Sequence, residues 1–513
     1  AGVASAYWAW HLAPSLWRAL RGRQDEWRQV RRLALCYLVW LGAFVLLAAA
    51  VLLPLLELLP YNGRSNFTLA DANLFALPPL LLVTLLVPSN FQFPEWTMFV
   101  GLIPLALAAL AWRGHRHRSW PFFALLAFCV LIFSLGASTP FFALANALIP
   151  GLGMLRVPTR IWFFGGLAVA VLAGFGADLL SQDGAREWLL RRSKRLVIMT
   201  ATYMTGSLLA WLGYWVMFRR WHEPMSLRLV TAALVILVGG LWLGGRLSGR
   251  AVQWALVLLL LLDLLPLDSA FIDLADPRTT FLKSTPALDY VSAQAGIFRV
   301  YSVAGDLPYA VAAARGVETL EGLLAFQAGS AGNAIREATG CKTLGYATAL
   351  PPCLTDKVRT AVSDAGMLGR LNVRYVLSRE PVTDPNFRLV MLGAPAVYEN
   401  LLWRPRVRLT SGGVVEILSR RAGEFEISVD VAAPGQLIVA ESWLPGWRVV
   451  VDGQPRRAER VEEALIGVTV GPGDHLVHLS YQPPGWRIGW PISVAAFVAL
   501  LLCCAIAWRR RAA

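Results

Sequence analysis

Charge is scarce in this sequence. Asp, Glu, Lys and Arg make up 16% of its 513 residues, against about a quarter in an ordinary soluble domain. Hydrophobic residues reach 56% and tryptophans number 21, which argues against a soluble globular protein and for membrane spans edged by interfacial aromatics. Familiar catalytic signatures are missing too. There is no Gly-x-Ser-x-Gly elbow, no Walker loop, no His-Glu-x-x-His and no dinucleotide fingerprint, so nothing points to those nucleophile, nucleotide or zinc chemistries. Cysteine is limited to six residues with no Cys-x-x-Cys redox spacing. Cys36, Cys129, Cys503 and Cys504 lie in apolar runs and read as small apolar residues. Cys341 and Cys353 fall in a long polar segment, where a structural disulfide and two free thiols are both open.

What is present is a series of apolar runs, near 2–17, 33–56, 96–112, 119–136, 159–181, 196–217, 229–247, 252–270 and 488–508. Each approaches the roughly 20 residues a spanning helix needs. The formal charge of +14 invites a nucleic-acid reading. Such a partner requires a basic patch on one folded domain, whereas these arginines stand in short clusters between apolar runs, so no nucleic acid is expected. The clusters occupy every second loop: Arg18 to Arg32, Arg113 to Arg118, Arg186 to Arg195, Arg246/Arg250 and Arg509 to Arg511. By the positive-inside rule these loops are cytoplasmic. Segments 57–95, 137–158, 219–228 and 271–487 are then outside, although Arg219 and Arg220 dissent. The chain opens at Ala1 inside an apolar run without the basic start of a signal peptide, and reads as a piece whose earlier spans are missing.

The expected architecture is a polytopic α-helical membrane protein. Residues 1–270 form a helical domain of about eight spans with outer loops 57–95 and 137–158. Residues 271–415 form an extracytoplasmic α/β domain, 416–487 an extracytoplasmic β-sandwich, and 488–513 a last span with a basic, cytoplasmic tail. Thr285-Pro286 reads as an N-cap followed by Pro at the first helical position. "FRVYSVAG" (298–305) and "VRYVLSRE" (373–380) read as strands, with a helix near 355–369. In "FEISVDV", Phe425, Ile427, Val429 and Val431 alternate with polar residues, so one face is buried. Trp447 shares parity with Val449 and Val451 and belongs to the core. His475 and His478 are three apart, which on a strand puts them on opposite faces and argues against a shared metal. "NFT" at 66–68 fits a glycosylation sequon, a weak and common triplet.

Candidate binding residues cluster in the outer loops. "GMLRVPTRIWFFGG" (153–166) puts Arg156 and Arg160 around Pro158 at the mouth of an apolar run. With Pro158 as first helical residue, Arg160 sits in the first turn and Arg156 just before it. A helix N-terminus favours an anion, and two guanidiniums there suggest a phosphate. The competing reading is interfacial snorkelling beside an aromatic belt. The 55–88 segment adds Glu57, Arg64 and Asp71, then an apolar piece broken by Pro78-Pro79 that reads as interfacial or re-entrant. Glu95 opens the next run. Each has a bland alternative: Glu57 a capped helix end, Arg64 and Asp71 solvated loop residues. Asp263, nearly alone as a charge inside a span, is a core polar residue or, less readily, part of a transport path.

The order "FALPPLLLVTLLVP", "PEWTMFVGLIPLALAALAW", "FSLGASTPFFALANALIPGLGMLRVPTRIWFFGG", "LGRLNVRYVLSRE" and "ESWLPGWRVVVDGQP…GPGDHLVHLSYQPPGWRIG" resembles YfhO-type bacterial membrane proteins, which are similar to the GT-C class of glycosyltransferases. The resemblance runs from about residue 40 to the end. It implies a protein of the bacterial cytoplasmic (inner) membrane that moves a sugar from a polyprenyl-phosphate carrier to a cell-envelope glycan or teichoic-acid-like acceptor at the outer face. It assigns Arg156 and Arg160 to the carrier phosphate, with Glu57 and Arg64 as weaker matches, and implies a divalent metal as a possible cofactor. The class carries its catalytic acid in the first outer loop, which would precede Ala1. Asp71 and Glu95 are therefore only weak catalytic candidates. The alternatives are a non-catalytic glycan-binding or assembly scaffold of the envelope and, more distantly, a lipid or polysaccharide transporter.

Overall fold

The computed structural model describes residues 2–63, 68–86, 93–114, 118–149, 151–180, 182, 184–191, 223–271, 276, 284–323, 327–341, 349–351 and 363–512. Arg64, Asn66, Arg219, Arg220, Cys353 and the 196–217 run lie outside these residues. Among the described residues, three helices are long and apolar enough to cross a membrane: Glu26–Leu47, Pro158–Leu180 and Pro484–Arg510. Apolar runs become helices because a helix satisfies its own backbone groups where no water is available. The chain divides into two compact units, Ala1–Val30 with Thr68–Leu274, and Arg31–Phe67 with Ala275–Ala513.

In the first unit, helix Trp162–Leu180 packs against both Leu102–Gly114 and Trp120–Ser134. Gly176 permits this approach, since a Cβ there would lie 2.6 Å from the carbonyl carbon of Leu107. Helices Glu223–Leu243 and Gly249–Phe271 pack on each other around Trp242 and Val252. Asp263, 2% exposed, takes the backbone N–H of Leu102 at 2.9 Å. It thus serves the N-terminus of helix Leu102–Gly114, where carboxylates are favoured.

The second unit holds the α/β and β-sandwich parts. In its first sheet the parallel strands β1 (Arg299–Ser302), β2 (Glu318–Thr319) and β5 (Val373–Ser378) are extended by antiparallel β7 (Ala396–Asn400) and β6 (Phe387–Met391), in the order β2-β1-β5-β7-β6. Strands β3 (Gly322–Leu323) and β4 (Ala349–Leu350) pair separately. Both faces of the larger sheet are covered, so β5 is apolar nearly throughout rather than alternating. Val300, Tyr375 and Leu377 meet helices Pro286–Ser292 and Tyr309–Ala314, while Tyr301 and Val376 meet helices Gly329–Ala338 and Ala365–Arg370. Thr285 caps the first of these helices by accepting from Leu288 N–H at 3.3 Å.

The sandwich has two sheets. One contains β13 (Gln454–Arg456), β12 (Trp447–Val451), β16 (Leu476–Tyr481), β10 (Glu424–Val431) and β9 (Gly413–Arg421) in that order. The other contains β14 (Glu459–Val461), β15 (Leu465–Val470), β11 (Gly435–Ser442) and β8 (Val407–Leu409). Strand β8 pairs with β11, so the sandwich begins upstream of position 416. Phe425, Ile427, Val429 and Val431 are all buried in its core, as their alternation requires. Trp447 is half-buried and packs on that core from its edge. The turn between β12 and β13 has Asp452 at φ +46 and Gly453 at φ +82, the mirror-image turn that a tight hairpin favours. Asp452 also takes the N–H groups of His475 and Leu476, both at 2.9 Å, and these bonds hold its carboxyl below the usual carboxylate range.

The α/β and sandwich parts are joined through a shared apolar cluster and a buried ion network. Arg406, 1% exposed, pairs with Glu441 at 2.9 Å and with Glu318, which also engages Arg420. Burial in this group lowers the neighbouring Arg299 to about 10.

Candidate functional site

The first unit gathers most of the sequence-derived candidates around one corner. Thr68 and Asp71 form a reciprocal capping box: Asp71 Oδ2 takes the Thr68 N–H at 2.9 Å and hydroxyl at 2.7 Å, and Thr68 Oγ1 takes the Asp71 N–H at 3.2 Å. The Asp71 carboxylate is thus committed to starting helix Leu69–Ala72. Asn73 follows and accepts the Ala137 N–H at 2.6 Å. Gly136, at φ +55, is required at this approach, because a Cβ would overlap the Asn73 side chain. Phe75 then adopts φ +59, a left-handed conformation rare for a bulky residue. Its carbonyl is held by the Trp96 indole N–H at 3.2 Å. The Pro78-Pro79 piece forms a short 3-10 helix, Pro79–Leu85, rather than a span.

The arginines sit on a second strained turn. Val157 has φ +62 and ψ 77, a conformation that costs a β-branched residue about 1–3 kcal/mol. Pro158 starts the turn Pro158–Ile161, which runs directly into helix Trp162–Leu180. Arg160 reaches Glu95 through Nη2 at 2.9 Å and Nε at 3.3 Å, both to the same carboxylate oxygen. Its side chain remains 64% exposed against 28% for Glu95, so the pair is accessible to solvent and weak in net energy. The Arg156 guanidinium lies 5.6 Å from the centre of the Phe75 ring. Phe75 stacks on Phe93 at 4.5 Å, and Phe93 meets Trp96 edge-on at 5.3 Å. Phe75 and Trp96 also line a hollow of about 350 Å³, together with Asn73, Leu77, Pro78 and Ser138 among others.

Arg156, Arg160 and Glu95 are thus brought to one corner with Phe75 and Trp96, two aromatics that the sequence reading did not single out. The bond from the Trp96 indole to the Phe75 carbonyl joins residues 21 positions apart, and no local spacing announces it. Glu57 belongs to the other unit. It accepts the backbone N–H of Gly485 at 2.7 Å and so caps the helix Pro484–Ala512. Tyr481 lies near the same carboxylate; burial first, and then the Glu57 charge, raise its phenol pKa. Cys341 is disulfide-bonded, whereas Cys36, Cys129, Cys503 and Cys504 are free. His478 pairs with Glu424 at 3.0 Å on the exposed side of the sandwich. Among the described residues, no group of three or more His, Cys, Asp or Glu is placed to hold a metal ion.

Residues 423–493 match the model of a family described as bacterial membrane protein YfhO. The match covers the sandwich from β10 to β16 and enters the helix Pro484–Ala512. No curated protein and no solved structure matches the chain.

Proposed function

We propose that this YfhO-type chain is a GT-C-like membrane glycosyltransferase of the bacterial cytoplasmic membrane. On this reading it has a multi-pass helical part and a large extracytoplasmic lobe. It takes a sugar from a polyprenyl-phosphate carrier and passes it to a cell-envelope glycan or teichoic-acid-like acceptor. The observation that carries the reading is the placement of Arg156 and Arg160 on either side of the strained Val157, at the start of an apolar helix. Strain of this kind persists where surrounding structure holds a functional geometry. The side chains it sets are those suited to a phosphate at a membrane surface.

In the transfer, the acceptor hydroxyl oxygen bonds to the anomeric carbon while the bond from that carbon to the carrier phosphate oxygen breaks. The electron pair leaves with the phosphate, and the guanidiniums stabilise the charge that develops there. The hydroxyl proton goes to a base. Of the two weak candidates in this chain, Asp71 is occupied by its capping box, which leaves Glu95, one of whose oxygens is paired with Arg160. The divalent metal implied by the resemblance finds no ligand cluster among the described residues, and no step is assigned to it.

The reading is tested by kinetics of the complete protein. Arg156→Ala and Arg160→Ala are each expected to raise KM for the polyprenyl-phosphate-linked sugar about tenfold, the effect of roughly one lost charge-assisted contact. Unchanged kinetics in both variants would leave only the snorkelling role. One observation favours a second reading, an envelope scaffold that binds glycan: the family match falls on the sandwich rather than on the arginine corner. Glycan binding that persists without any sugar transfer, both arginines being intact, would select it. Transport has less support, since Asp263 is engaged at a helix N-terminus.

A further inference from the structure

The hollow beside the arginines has a chemistry of its own. Among the described residues, no charged side chain lines it; its walls are mostly aliphatic, with the Phe75 and Trp96 rings and two polar groups, Asn73 and Ser138. Asn73 uses its carbonyl oxygen on Ala137. Among the described residues its NH2 group and the Ser138 hydroxyl have no hydrogen-bond partner. At about 350 Å³ the space is near the small end of ligand pockets, sufficient for a single ring and too small for a polymer. The backbone around it is built to hold its shape. The Asn73–Ala137 bond, the close packing at Gly136 and the Trp96–Phe75 bond fix three sides.

We propose that this hollow is a monosaccharide subsite, taking an uncharged pyranose whose C–H face lies on the aromatic wall. Its hydroxyl oxygens accept from the Asn73 amide and from Ser138. A pyranose matches the mixed lining, because it presents an apolar face and a polar rim. An isoprenoid chain has no acceptor for either donor, and an anion meets no charge among the described residues of the hollow. The inference rests on the carrier reading of Arg156 and Arg160: Phe75 lines the hollow that takes the sugar and lies 5.6 Å from the Arg156 guanidinium that takes its phosphate.

The test uses the full chain in phosphatidylethanolamine–phosphatidylglycerol nanodiscs, with methyl glucoside and N-acetylglucosamine as probes and saturation-transfer NMR as readout. Saturation is expected to reach the ring protons of at least one probe. Asn73→Asp keeps the oxygen that holds Ala137 but removes the NH2 donors, and it should weaken binding about tenfold. Ser138→Ala should weaken it several-fold. Absence of transfer to both probes, or equal transfer in wild type and both hollow variants, overturns the proposal. So does cross-linking of a diazirine-bearing isoprenol to Trp96 without sugar transfer, which assigns the space to the lipid chain. Failure of the carrier reading is seen separately, as unaltered carrier kinetics in the arginine variants, and the sugar measurement still decides the hollow.

Discussion

Val157 shows what a single residue contributes at the arginine corner: a β-branched side chain held at positive φ turns the chain between two guanidiniums. The sequence "RVPTR" marks the spot and the Pro158 start of the helix, yet nothing in it reveals the strain or the Glu95 partner 65 residues away. Glu321 illustrates the same limit in the second unit. It is 8% exposed, takes the Ser302 N–H, and has a second oxygen without a partner among the described residues. Burial raises its carboxyl from the ordinary 4.5 to about 8, with backbone N–H donors pulling only partly the other way. The folded state therefore binds a proton that the unfolded state releases between pH 4.5 and 8. The contribution is fully present below 4.5 and is lost as pH rises through 8. Glu321→Gln should flatten the fall in thermal stability across this window and gain about 1–3 kcal/mol at pH 8. An unaltered pH slope in scanning calorimetry would refute this assignment.

Among the elements, the most legible were those whose pattern is local. The β10 alternation, the Asp-Gly turn and the Thr285-Pro286 cap each depend on residues a few positions apart, and each forms as its sequence indicates. Less legible was the helix Pro484–Ala512, readable as a span but not for what it packs on. Gly485, Gly489 and Ser493 recur every four residues and form one face. The backbone of Ala49–Leu58 comes close to this face: a Cβ on Gly485 would lie 2.6 Å from the Leu53 carbonyl carbon, and one on Gly489 would overlap the Ala49 carbonyl. Ser493 completes the contact, with its hydroxyl accepting from Ala50 N–H at 2.9 Å and donating to the Leu46 carbonyl at 3.2 Å. Small residues at such spacing allow close helix packing where lipid offers no hydrophobic gain. Gly489→Leu is thus expected to cost about 1–3 kcal/mol through overpacking, measured by thermal unfolding of the purified chain. Gly240→Leu, where the added atom would meet open space, should cost little. Equal effects of the two would dismiss the close-packing account.

For the whole molecule, low charge and high apolar content pointed to the membrane, and three helices of spanning length among the described residues agree, as does the YfhO match over 423–493. The grouping of Arg31–Phe67 with Ala275–Ala513 was not legible. It rests on contacts across more than 400 residues, such as Glu57 with Gly485, which no periodicity encodes. The hollow was invisible for a similar reason, since its lining comes from the 70–78 stretch, Trp96 and Ser138. The central claim is that Arg156 and Arg160 hold a carrier phosphate. It is tested most directly by equilibrium binding of a polyprenyl phosphate to the full chain in nanodiscs, at low and moderate salt. The account predicts binding that weakens with salt, falls at least tenfold in Arg156→Ala/Arg160→Ala, and is retained or strengthened in Glu95→Gln, which releases Arg160 from its carboxylate. Equal affinity in wild type and the double arginine variant would contradict it.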